Sequence, residues 1–105
     1  MSVSLTEKEF SKHLNTKFRV AGEQPTEIEL TEVKGYVSQP NEQDGMERFS
    51  AFFRGSNDHF LPQHTYTIEH DAMGSFELFL VPIARDENGF QYEAVFNYFK
   101  PMAVD

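Results

Sequence analysis

Cysteine is missing from all 105 residues, so the chain can form no disulfide, offer no thiolate nucleophile and build no zinc–sulfur site. Tryptophan is missing as well. Basic residues are scarce: nine Lys and Arg stand against seventeen Asp and Glu, a net charge of −8. Nucleic-acid binders draw most of their affinity from a basic stripe that neutralises phosphates, and without one no nucleic-acid partner is expected. The aromatic residues do not alter this, because they alternate as core residues without interleaved Lys and Arg. No apolar run is long enough to span a bilayer. Residues 1–7 have neither the basic region nor the apolar core of a signal peptide, so no membrane association and a cytoplasmic location are expected.

What the chain does have is bulk. Eleven Phe and four Tyr in a single domain, residues 1–105, suffice for a core without covalent staples. The clearest organisation runs from Tyr66 to Tyr98, which reads as three antiparallel strands joined by two similar turns, Asp71 to Gly74 and Asp86 to Gly89. Three-residue loops ending in a left-handed glycine would set Glu69 opposite Glu77, Ile68 opposite Leu78 and Leu80 opposite Phe96. One face then gathers Tyr66, Ile68, Leu78, Leu80, Phe96 and Tyr98. The opposite face mixes polar residues with Phe79, Val81, Ile83, Val95 and Phe99, and something must cover these.

Thr6 and Glu9 form a capping box with Leu5 and Phe10 as its hydrophobic staple, which predicts a short helix over 6–14 presenting Phe10, His13 and Leu14. Alternation and turn residues place strands over 17–21, 28–37, 47–54, 64–70, 75–84 and 90–99, with a bulge near Glu32 and Val33 or at Gly35. Ser38 to Gly45 reads as a loop, Phe60 and Leu61 as a plug for one end of the core, and Lys100 to Asp105 as a fraying tail. The fold class is therefore mainly β: a small antiparallel barrel or curved sandwich of about six strands with one N-terminal helix.

Chemistry is sparse. His64 and His70 share one strand, but six residues at the strand rise hold them about 20 Å apart, too far to chelate one ion. His59 near His64 lacks a third ligand. Asp86 to Gly89 resembles the start of a calcium loop, yet glycine comes too early and Phe90, Gln91 and Tyr92 continue no ligand series. Glu69, Glu77 and Glu93 are the sole carboxylate group of enzymatic interest, with no positioned nucleophile or oxyanion donor. There is no phosphate loop and no nucleophile elbow. No catalytic residue, metal or cofactor is expected, and the protein reads as a non-enzyme.

Residues 49–55, 61–70, 76–83 and 92–97, with Gly74, resemble an uncharacterised bacterial family of small proteins of unknown function, over about half of the chain (49–97). The resemblance implies genes lying near those of phage tail-collar and microcystin-dependent-like proteins, and hence a tail-collar-like protein partner. Among the resembling positions Arg54, Gln63, His70, Glu93 and Asn97 are hard to assign to packing, and a polar network or recognition site is expected there. The expected function is a non-enzymatic structural or protein-interaction domain, an accessory of a phage-tail-like assembly, with homo-oligomerisation through Phe79, Val81, Val95 and Phe99. The alternative is a small barrel that binds an apolar or aromatic ligand.

Overall fold

A computed structural model describes residues 5–22, 25–35 and 46–99, with 46, 47, 98 and 99 described by their backbone alone. The expected loop over 38–45, the end of the second strand at Val37 and the tail from Lys100 lie outside these residues, as does the Phe99 side chain. The elements are α1 (Glu7–Ser11), β1 (Lys17–Val20), β2 (Thr26–Gly35), β3 (Met46–Gly55), β4 (His64–His70), β5 (Gly74–Asp86) and β6 (Gly89–Phe99). All strand pairs are antiparallel, in the order β1-β2-β3-β6-β5-β4, and the ring closes into a barrel through Arg19↔Glu69 and Val20↔Ile68. Two three-stranded meanders are thus joined twice: along ten β3–β6 pairs on one side, and along the two β1–β4 pairs on the other.

Period-two patterning explains the walls. In β3, Phe49, Ala51 and Phe53 point inward and are buried, as do Leu78 and Leu80 in β5 and Tyr92 and Ala94 in β6. Each fully buried Phe or Leu contributes about 1.5–3 kcal/mol relative to exposure. The anticipated bulge in β2 falls at Thr31, between Leu30↔Phe53 and Glu32↔Phe52. A second, unanticipated one falls at Ile83, between Pro82↔Tyr92 and Ala84↔Gln91.

The first hairpin differs from its expected register by two residues, and the second by one at its turn and by two beyond the bulge at Ile83. Tyr66 lies opposite Leu78, Ile68 opposite Phe76, and Glu69 opposite Ser75 rather than Glu77. The first turn is Asp71 to Met73, with Gly74 (φ 84°) already in β5. The second is the two-residue turn Glu87 and Asn88, closed by Asp86↔Gly89. A shift of two preserves which face each side chain takes, so Ile68, Leu78 and Leu80 are still buried together. The Glu69–Glu77 carboxylate pair is lost, since Glu77 faces Thr67.

The two barrel ends are sealed differently. At one end α1 inserts Phe10, fully buried, among Phe18 of β1, Phe49 of β3, Phe76 of β5 and Phe96 of β6, with ring centroids 5.4–6.2 Å away. Thr6 caps the helix as expected, its Oγ1 accepting from Glu9 N–H at 3.0 Å. The helix is shorter than expected, ending at Ser11 and continuing as turns to Asn15, whose φ of 66° stops it. At the other end residues 56–63 cross the opening. Leu61 is buried there and its N–H donates to the Tyr92 hydroxyl at 3.0 Å. Phe60 plugs nothing: it is 52% exposed and rests on Phe90.

Candidate functional site

The residues expected to form a polar network occupy separate places. Glu93, on β6, accepts a hydrogen bond from the buried Ser50 hydroxyl at 2.7 Å. Arg54, across β3, lies 3.9 Å from Asp86 beside the second turn. It lines a groove of about 580 Å³ with Lys17, Glu27, Glu29 and Asn88. That groove carries charges of both signs, Lys17 and Glu29 being 3.4 Å apart, and so presents no sign of its own. Gln63 is exposed in the crossing segment, and Asn97 is exposed on β6 opposite Arg48.

His70 stands apart from those four and has partners that sequence reasoning missed. It ends β4 at the helix-capped end of the barrel, 6% exposed. Its Nδ1 accepts from the backbone N–H groups of Ala72 (3.0 Å) and Met73 (3.1 Å). A backbone amide only donates, so Nδ1 must carry a lone pair and the proton of the neutral ring sits on Nε2. Nε2–H then donates to Thr16 Oγ1 at 2.9 Å, while that hydroxyl donates to the His13 carbonyl at 2.6 Å. Every proton in the chain has one allowed place. Burial first, then the neighbouring His13, push the His70 pKa below the usual histidine range; Asp71 opposes the shift and Arg19 adds to it.

The outer face of β5 and β6 is the other candidate. Phe79 is 50%, Ile83 45% and Val95 62% exposed, and Val81 is partly buried beside Glu93. Phe79 and Val81 follow one another at the strand period, and Ile83, at the bulge, is exposed beyond them. Val95 also forms a wall of a groove of about 250 Å³ with Arg48, Phe96 and Asn97, so polar donors adjoin the apolar face. Among the described residues no group of three or more His, Asp or Glu could hold a metal ion, and no helix is long and apolar enough to cross a membrane.

These features define a helix-plugged, six-stranded antiparallel β-barrel that joins an apolar outer face to one proton-ordered histidine at its end. The chain belongs to the family described as Domain of unknown function (DUF6916), whose model matches residues 5–96. No curated protein and no solved structure matches it.

Proposed function

We propose that this domain is a non-enzymatic interaction module that makes protein contacts through the outer face of β5 and β6. The observation that carries this reading is the exposure of Phe79, Ile83 and Val95 on strands whose inner faces are already filled. Single exposed apolar residues are ordinary on a protein surface, but several gathered on one sheet face mark a contact. The occupant we propose is a second copy of the chain, because apolar side chains gathered on one sheet face can meet their own copies across a two-fold axis. The resemblance supports an accessory role in a phage-tail-like assembly in the cytoplasm, with a tail-collar-like protein as the further partner. The alternative of an apolar ligand held inside the barrel has less support, because Tyr92, Phe18, Phe53, Leu30 and Leu80 already fill the interior.

The test is native mass spectrometry and sedimentation of the wild type and of a Phe79→Asp/Val95→Asp double variant. The expected result is an oligomer for the wild type, strengthened by salt because the net charge of −8 opposes self-association, and a folded monomer for the variant. A wild type that stays monomeric in high salt would refute self-association. A variant that unfolds would show that the face is covered within the chain. A reproducible bound small molecule would favour the ligand reading.

A further inference from the structure

At the end of the barrel closed by α1, the backbone of Asn15 and Thr16 bonds Leu30 of β2, and a set of side-chain hydrogen bonds converges on one imidazole. Thr16, three residues beyond the turn that accepts its hydroxyl proton, is tied to His70, fifty-four residues away, by the Nε2–H···Oγ1 bond. The other side of the same ring gathers the two free amides of the β4–β5 turn. The rings of His13 and Phe18 lie against it at 4.7 and 4.3 Å, so α1 and β1 reach the turn through His70. We propose that His70 is an acid-labile latch between the N-terminal helix and the β4–β5 turn, and that protonating its ring releases both from the barrel end.

The reason is donor counting. An imidazolium carries N–H on both nitrogens, so on protonation Nδ1–H would point at the N–H groups of Ala72 and Met73. Three donors would then meet with no acceptor between them, in a site too buried for water to intervene freely. The turn amides must swing away or the ring must leave. If the amides swing away the turn opens, and if the ring leaves, its bond to Thr16 breaks and the segment that follows α1 loses its tie to the turn. The charged groups around the ring do not remove the conflict. Arg19 of β1 and His13, in the turns after α1, oppose a second positive charge. Asp71 of the turn favours it, but Asp71 is exposed and already 3.0 Å from Arg19. Glu9 lies on the far side of His13, 3.7 Å from its Nε2. What opens is the lid over Phe10 and its four aromatic neighbours, while the β3–β6 ladder lies outside the affected contacts.

The experiment is NMR on the full chain titrated from pH 8 to pH 4, reading the His70 ring nitrogens, the Ala72 and Met73 amides, and hydrogen exchange of the Phe10, Lys12 and His13 amides. At neutral pH the ring should show the Nε2–H tautomer. Below the usual histidine range the two turn amides should shift on the same curve as the ring. Protection of the helix amides, with the intrinsic pH dependence of exchange divided out, should fall by up to about tenfold per pH unit between the usual histidine value and the lowered folded one, the slope of one linked proton, while β3 and β6 amides stay protected. In His70→Asn the side-chain oxygen takes the place of Nδ1 and cannot titrate, so the acid step should vanish with the turn intact. The latch is overturned if helix exchange ignores His70 titration, if His70→Asn keeps the step, or if β3 and β6 open together with the helix. Should His70→Asn fail to fold, the wild-type curves decide alone.

Discussion

Replacing Phe10 by alanine separates two roles for a helix of five residues. If α1 merely lay on the outside of the barrel, removing one ring would cost about 1 kcal/mol, as for ordinary partly buried positions. Phe10 is instead fully buried, with four phenylalanine rings from four different strands around it. Phe→Ala in such sites costs about 3–5 kcal/mol, and the cost rises when the surroundings cannot collapse into the space. Here the neighbours are fixed by hydrogen-bonded strands, which points to about 4 kcal/mol. At about 4 °C per kcal/mol for a chain of this size, Tm should fall by about 16 °C. Far-UV circular dichroism during heating and urea unfolding would read it, with tyrosine fluorescence as a second probe because tryptophan is absent. Phe60→Ala is the control: 52% exposed and against a single ring, it should lose less than about 1 kcal/mol. Equal losses in the two variants, or less than about 1 kcal/mol for Phe10→Ala, would refute the plug.

Tyr92→Phe should cost about 1–3 kcal/mol in urea unfolding, since the Leu61 amide loses its acceptor inside the closed end. Burial raises the Tyr92 pKa, the Leu61 hydrogen bond partly offsetting it, so the folded state holds this proton more tightly than the unfolded chain. That contribution is complete below about pH 10 and is lost as pH rises through the folded value; stability measured across alkaline pH should therefore fall less steeply in Tyr92→Phe than in the wild type. Gly89→Ala should cost about 1–3 kcal/mol, because φ is +135° and an added Cβ would run into the Gly55 carbonyl oxygen across the sheet. An unchanged melting curve for that variant would show that the turn relaxes freely.

Much of the barrel was legible because inward and outward sides are written with a period of two. That is also why the first hairpin could be misplaced by two residues and still bury Ile68, Leu78 and Leu80 together. What placed the true turns was a side-chain acceptor at the end of each preceding strand. His70 Nδ1 gathers the Ala72 and Met73 amides and so closes the first turn one residue early. Asp86 Oδ1 does the same for Asn88 in the second. His70 itself was visible as a residue that packing did not explain, but its partner Thr16 lies fifty-four residues away and carries no local signal. The four residues grouped with it, Arg54, Gln63, Glu93 and Asn97, share a sequence pattern without sharing a place. The outer face of Phe79, Val81, Ile83 and Val95 was readable directly, since apolar residues at both parities of one strand must supply two faces.

The ring closes on one side through only two residue pairs of a four-residue strand. A closed ring has no free strand edge to offer another chain, and edges are where sheets recruit one another into aggregates. Here that protection hangs on Phe18 and Val20, the inward anchors of β1. Damage to them would leave most of the barrel wall paired while freeing the edge of β4 at Ile68 and Glu69. The first symptom of such a lesion would be precipitation of a chain that still gives a β-sheet spectrum, so the shortest strand guards the solution behaviour of the whole domain.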